Sequence, residues 1–266
     1  LGGAQWIVAL LAALIAGMIW GAVPGIFKAF FNVNEVISCI MMNYIGMYMV
    51  NFLVSTNTSL YDKIRNYSKD VVKTANVPGM GLDKLFAGSS INGGFFISLI
   101  AVVVIYILLE KTTFGYELKA AGFNPDASKY AGMNEKRNII LSMAIAGALS
   151  ALAGGLLYLA GSGKHIVIED ALASEGFTGI SVALLGLSNP IGVLLAGLFI
   201  AYITAGGFYL QLLNFSTEII DIIIAVIIYF SAFSLFVRGF IQRVRKAKAE
   251  KAENKDGSDE AGKGGK

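Results

Sequence analysis

Long runs of apolar residues constrain this chain more than any other feature it has. Gln5–Val23, Glu35–Val54, Phe95–Leu109, Ile139–Gly161 and Glu218–Val237 carry almost no charge. Such blocks approach the roughly 20 residues an α-helix needs to cross a ~30 Å hydrocarbon layer. Strands of a membrane barrel would alternate apolar and polar residues, and these blocks are continuous. The fold class follows: all-α, a polytopic transmembrane helix bundle. Composition agrees. The 266 residues are 56% hydrophobic and 15% charged, where a soluble domain has about 25% charged.

Composition also excludes function classes. A single cysteine, Cys39, allows no internal disulfide, and with the single His165 it cannot form a metal-ligand cluster. A net charge of +3 calls for no nucleic-acid partner. The chain begins at Leu1, with neither Met nor a charged stretch before the first block. This start is expected to be a truncated or processed one, not a signal peptide.

Turn chemistry divides the blocks. Pro24-Gly25 is expected to end the first span. Asn32 followed by Glu35 reads as a capping box opening the second. Thr56–Asn92 reads as a long polar loop with turns at Pro78-Gly79 and Asn92-Gly93-Gly94. Past a polar link, Ser162–Ser174, the pattern changes: Gly176–Leu187 is short, Ser188-Asn189-Pro190 interrupts, and Ile191–Ala205 continues. Two short helices around a break fit this better than one span. Broken backbone at membrane depth is tolerated only inside protein or beside water. Residues 1–237 are therefore read as one transmembrane domain. Residues 238–266 form a cytoplasmic tail, first basic (Arg238, Arg243, Arg245, Lys246, Lys248), then disordered from about Lys251.

The basic tail points inward. Counting Gly176–Ala205 as two crossings puts Thr113–Asn138, with Lys119, Lys129, Lys136 and Arg137, on the same side. Thr56–Asn92 then lies outside, although it holds Lys63, Arg65, Lys69, Lys73 and Lys84. In the fourth span, Ala146, Ser150 and Gly154 recur every four residues, as do Gly147, Ala151 and Gly155. Small residues at this spacing let helices approach closely, for bundle packing or a channel-lining face.

The charged segment between the third and fourth spans is patterned. Thr113 can cap a helix beginning at Phe114, with Gly122 as the glycine that ends it. Asn124-Pro125-Asp126 is a second start: Asn as N-cap, Pro in the first turn, Asp where the helix dipole favours it. Gly132 can end that helix. Two short rigid helices on the cytoplasmic face imply a contact surface.

The run Phe114-Gly-Tyr-Glu-Leu-Lys-Ala-Ala-Gly-Phe-Asn-Pro-Asp-Ala-Ser-Lys-Tyr-Ala-Gly-Met133 closely resembles the cytoplasmic loop of ABC importer permeases in the group that includes branched-chain amino acid, ribose-type sugar and nucleoside systems. Lys119, Phe123 and Ser128 depart from that pattern, which usually has Arg, Glu and Ala there. Val33–Ser38 with Met42–Ile45, and Gly176–Ile180 with Ala183–Gly186 and Asn189-Pro190, resemble the nucleoside and simple-sugar branch. The resemblance covers roughly Gly21 to Val237, and its family usually carries further spans before this point.

It implies that the loop docks into an ATPase subunit through Glu117, Leu118, Lys119, Gly122, Asn124, Pro125, Ala127, Ala131 and Gly132. It also implies a second permease subunit, an extracellular substrate-binding lipoprotein, surrounding membrane lipid, and a place in the bacterial plasma membrane. No enzyme activity and no cofactor in this chain are expected. ATP would be used by the ATPase: Gly161–His165 fails as a phosphate loop, because Tyr158 and His165 occupy positions that need Gly and Ser or Thr.

Asn43 and Asn51 share roughly one face of the second span and can bond neighbouring helices or a passing solute. Gly176, Phe177 and Gly186 can line a pathway at the break. Phe177 can stack on a base or pack as core. Glu35 is read first as a capping residue. The rival class is an ion-coupled secondary transporter of a small neutral solute, which the helix break would suit. The scarcity of ionisable groups at mid-span argues against it.

Overall fold

The computed structural model describes residues 4–65, 67–81, 92–161, 164–211, 216, 219–227, 229, 230 and 233. The helices are α1 (Gln5–Phe31), α2 (Glu35–Thr56), α3 (Gly94–Lys111), α4 (Thr113–Phe123), α5 (Pro125–Tyr130), α6 (Glu135–Tyr158), α7 (Ser174–Leu185) and α8 (Pro190–Gln211). Residues 219–227 are also helical, within the expected last span. The expected tail lies outside the described residues. Among the described residues five helices, α1, α2, α3, α6 and α8, are long and apolar enough to cross a membrane. The fold is an all-α helix bundle, and it divides into two units, Leu1–Ala173 and Ser174–Lys266.

In the first unit, α1 does not stop at Pro24, as the sequence reading expected. It continues through that proline to Phe31. A proline inside a helix forfeits one hydrogen bond and crowds the preceding turn, but packed membrane helices tolerate this. Asn32 ends the helix in the left-handed region at φ 52°, a conformation asparagine visits more readily than most residues. The expected capping box is therefore corrected. Asn32 closes α1, while Asn34 caps α2, its Oδ1 accepting from the Val36 N–H at 2.9 Å. Glu35 pairs instead with Lys28 across the turn.

The core of this unit is the pairing of α1 with α6, and its contact surface is glycine. Gly17, Gly21 and Gly25 recur every four residues on α1 and face α6, Gly17 and Gly21 against Gly147 and Gly25 against Ile140 and Met143. A Cβ on Gly17 would fall 2.2 Å from the Ala151 Cβ, and one on Gly147 2.3 Å from the Gly17 carbonyl oxygen. Of the two small-residue columns on α6, the one through Gly147, Ala151 and Gly155 packs. The other does not: Ala146 and Ser150 are exposed and Gly154 has open space around its Cβ position. The α3 helix buries none of its residues in the chain, as a helix facing lipid or another subunit can.

Opposite the charged segment, the long polar loop folds locally. Strands β1 (Tyr61–Asp62) and β2 (Tyr67–Ser68) form a two-stranded antiparallel hairpin. The link before α7 adds a bridge to it at Val167. Ser68 donates its N–H to the Ile166 carbonyl at 2.9 Å.

The second unit holds the break. The α7 helix has 12 residues, about 18 Å at 1.5 Å per residue, too short to cross a bilayer alone. The α8 helix has 22 and runs well beyond the expected Ala205, so it is not the short helix that the sequence reading expected. Between them Leu187 and Ser188 both adopt left-handed backbone, at φ 56° and 55°. Asn189 then opens α8, its Oδ1 accepting from Ile191 N–H at 3.1 Å and Gly192 N–H at 3.4 Å.

Candidate functional site

The charged segment is held as a rigid bracket between α3 and α6. The α3 helix ends at Thr112, which caps α4: its Oγ1 accepts from the Gly115 N–H at 3.1 Å. The cap is therefore Thr112 rather than the expected Thr113, one residue earlier. Gly115 permits the corner, since a Cβ there would lie 2.2 Å from the Leu108 carbonyl oxygen. Lys119 reaches back to pair with Glu110 near the end of α3, which fixes α4 against the span that precedes it.

Asn124 serves both helices of the bracket. Its backbone N–H bonds to the Ala120 carbonyl at 3.0 Å and closes α4, while its Oδ1 accepts from the Ala127 N–H at 3.0 Å and opens α5. Pro125 sits in the first turn of α5 with Asp126 beside it, as the residue pattern predicts. Gly132 ends α5 at φ +80°, also as predicted. Asn134 then caps α6, accepting from the Arg137 N–H at 3.1 Å.

Gly122 is different. The sequence predicts it as the left-handed glycine that ends the first helix. It lies inside α4, which continues through Phe123, and it is not among the positive-φ glycines. The asparagine cap at Asn124 supplies the stop that glycine was expected to give.

The bracket turns aromatic side chains outward. Tyr116 is 67% exposed, Phe123 90% and Tyr130 94%. Lys119, Asn124, Ala127, Ala131 and Gly132 are exposed as well, while Glu117 and Leu118 are half-buried. Sequence reasoning missed the aromatic face, although Tyr116, Phe123 and Tyr130 recur at an interval of seven. At the root of the bracket two polar side chains are buried, Ser128 (3% exposed) and Asn138 (1%).

The candidate pathway residues fall in both units, Asn43 and Asn51 in the first and Gly176, Phe177 and Gly186 in the second. Asn43 is exposed on α2. Asn51 is half-buried and donates its amide to the Glu169 carbonyl at 2.9 Å, which ties α2 to the link before α7. In the second unit Gly176 has open space and Phe177 is 62% exposed. Gly186 is enclosed at the break: a Cβ there would lie 2.5 Å from the Val193 nitrogen.

The face opposite the bracket has its own cluster. The His165 ring stacks on Tyr67 at 4.3 Å with 21° between planes, and its Nε2 lies 3.4 Å from an Asp70 oxygen. Arg65 donates to the Tyr67 hydroxyl at 3.1 Å. Asn92 donates its amide to the Ala160 carbonyl at 2.9 Å. These contacts bind the loops of this face into one surface, and nothing in a lone histidine's sequence position signalled it.

The family described as branched-chain amino acid transport system / permease component matches residues 1–232. Guanosine ABC transporter permease protein NupP of Bacillus subtilis is 38% identical over 240 residues, 90% of this chain and 68% of that protein. Nucleoside ABC transporter permease protein NupB of Lactococcus lactis is 36% identical over 239 residues, 87% of this chain and 65% of that protein. Glucose ABC transporter permease protein TsgB13 of Haloferax volcanii is 29% identical over 238 residues, 86% of this chain and 62% of that protein. The chain thus spans about two thirds of the length of these relatives. No solved structure matches it. With a family match over nearly its whole length and five span-length helices, the chain belongs to the branched-chain amino acid transport system permease family, as a multi-pass permease component of the bacterial plasma membrane and not an enzyme.

Proposed function

We propose that this chain is the membrane-spanning subunit of an ATP-binding-cassette importer for nucleosides, with simple sugars as the second substrate class. The observation that carries it is the capped bracket of α4 and α5, which presents Tyr116, Phe123 and Tyr130 to water. Exposed aromatic residues on a rigid element are the usual anchors of a protein interface. The partner is an ATPase subunit, docking on Glu117, Leu118, Lys119, Gly122, Asn124, Pro125, Ala127, Ala131 and Gly132. ATP is consumed there, and this chain needs no cofactor.

The other partners are a second permease subunit and an extracellular substrate-binding lipoprotein. The loop surface around Tyr67 and His165 is the docking face for the binding protein. Residues 1–237 form the permease domain and 238–266 its tail. The names of NupP and NupB favour a nucleoside, and that of TsgB13 keeps a hexose in second place. A neutral solute rich in hydroxyls needs hydrogen bonds from its path rather than a counter-charge. Asn43, Asn51, Gly176, Phe177 and Gly186 are the proposed path residues.

Uptake of labelled guanosine in cells carrying the complete transporter tests this. Unlabelled nucleosides are expected to compete efficiently, glucose weakly and leucine not at all. Competition by leucine alone rejects the nucleoside reading. Uptake that survives inactivation of the ATPase rejects the importer class and favours an ion-coupled transporter.

A further inference from the structure

Where α1 ends and α6 begins, the first unit has a groove of about 430 Å³ lined by Phe30, Asn134, Lys136, Arg137, Ile140 and Leu141. Its lining joins two cationic side chains to three apolar ones. Lys136 holds its ammonium 4.8 Å from the centre of the Phe30 ring, an arrangement favourable to a cation that leaves its charge uncancelled. Two other lysines at this end are paired, Lys28 with Glu35 and Lys119 with Glu110. Among the described residues neither Lys136 nor Arg137 has an acidic partner. Ile140 and Leu141 lie one turn further into the span. Phe27 and Phe31, with ring centres 6.2 Å apart, flank the end of α1.

We propose that this groove binds the headgroup and upper acyl chain of an anionic phospholipid. Lys136 and Arg137 meet the phosphodiester, the Asn134 backbone and side chain border it, and Ile140 and Leu141 carry the first methylenes. Basic pockets between spans are the known physical form of anionic-lipid sites. The apolar part of the lining decides between a lipid and a soluble anion. Free phosphate would meet Lys136 and Arg137 alone and leave Ile140 and Leu141 uncovered. The inference rests on α1 and α6 being spans, and it stands whatever the substrate or ATPase partner.

The test uses the full-length permease in detergent, titrated with short-chain phosphatidylglycerol and, separately, with phosphatidylcholine of the same chains. Phosphatidylglycerol is expected to bind more tightly. Lys136→Gln with Arg137→Gln should weaken it about thirtyfold, from the usual worth of two basic residues at an anionic surface. The charge-preserving pair Lys136→Arg with Arg137→Lys should retain binding, as should Lys111→Gln with Lys129→Gln on the same face. Three results overturn the proposal: equal affinity for the two lipids, unchanged phosphatidylglycerol binding in the double glutamine variant, or its displacement by inorganic phosphate at equal concentration.

Discussion

Asparagine does most of the punctuation in this chain. Asn34, Asn124, Asn134 and Asn189 each accept a hydrogen bond from the first turn of a helix, satisfying donors that a helix start leaves open. Asn32 instead takes up left-handed backbone to end one. Residue type was therefore readable while role was not. Asn32 and Asn34 stand two apart, and the spacing to Glu35 favoured the wrong one. Gly122 and Gly132 pose the same problem in the bracket, and the backbone separates them. Gly122→Ala places a better helix former inside α4 with open space around it, so permease stability should be unchanged or raised by up to about 1 kcal/mol. Gly132→Ala must hold a β-carbon at φ +80°, at a cost of about 1–2 kcal/mol. Thermal melting of the two purified variants checks this. A lower melting temperature for Gly122→Ala alone would restore Gly122 as the helix terminator. Asn124→Ala, which removes the cap of α5, should cost about 1 kcal/mol and reduce ATPase recovery in a pull-down, with Asn124→Asp restoring it. Undiminished recovery with Asn124→Ala argues against α5 as the contact.

At the scale of elements, the spans were legible because one signal, a long apolar run, suffices to specify a membrane helix. The bracket was legible too, since each of its turns uses local chemistry. What sequence position alone does not disclose is pairing. The stripe Gly17, Gly21 and Gly25 is plain in the sequence, yet only the fit of Gly17 and Gly21 against Gly147 and Ala151 shows that α1 and α6 are partners. The loop hairpin was missed for another reason. Two-residue strands are too short to show alternation, and their third contact, at Val167, lies about a hundred residues along the chain. Candidate path residues were least legible, because an asparagine that bonds a solute and one that bonds a loop carbonyl, as Asn51 does, look alike in sequence. The two small-residue columns of α6 now make opposite predictions. Gly147→Val should push α1 and α6 apart at a cost of about 1–3 kcal/mol, visible as a lower melting temperature and reduced yield. At Gly154 an added Cβ meets nothing within 4 Å, so Gly154→Val should leave both unchanged in the isolated subunit. Equal losses would mean that the α1–α6 contact is not organised on the Gly147 column.

At the scale of the whole molecule, the question is which end of the first unit faces the cytoplasm. The bracket shares one end with the turn between α1 and α2 and with the groove at Lys136 and Arg137. The hairpin, the His165 stack and the Asn51 and Asn92 contacts lie at the other. Lysine and arginine do not choose between them. Among the described residues, Lys28, Lys111, Lys119, Lys129, Lys136 and Arg137 stand at the bracket end, against Lys63, Arg65, Lys69, Lys73 and Lys164 opposite. Crossing number does not help either, because α7 is too short to count as a span. Orientation therefore rests on function: if the bracket couples to an ATPase, it must lie where ATP is. The test needs two sites that a reagent reaches equally well. Ile64 is 95% exposed at the hairpin end and Tyr130 94% exposed on the bracket. In a Cys39→Ala background, Ile64→Cys should react with a membrane-impermeant maleimide in intact cells, and Tyr130→Cys only after permeabilisation. Labelling of Tyr130→Cys in intact cells would put the bracket outside and remove the ATPase-docking role with it. Both sites lie in the first unit, so the result does not depend on how many times the broken helix region crosses.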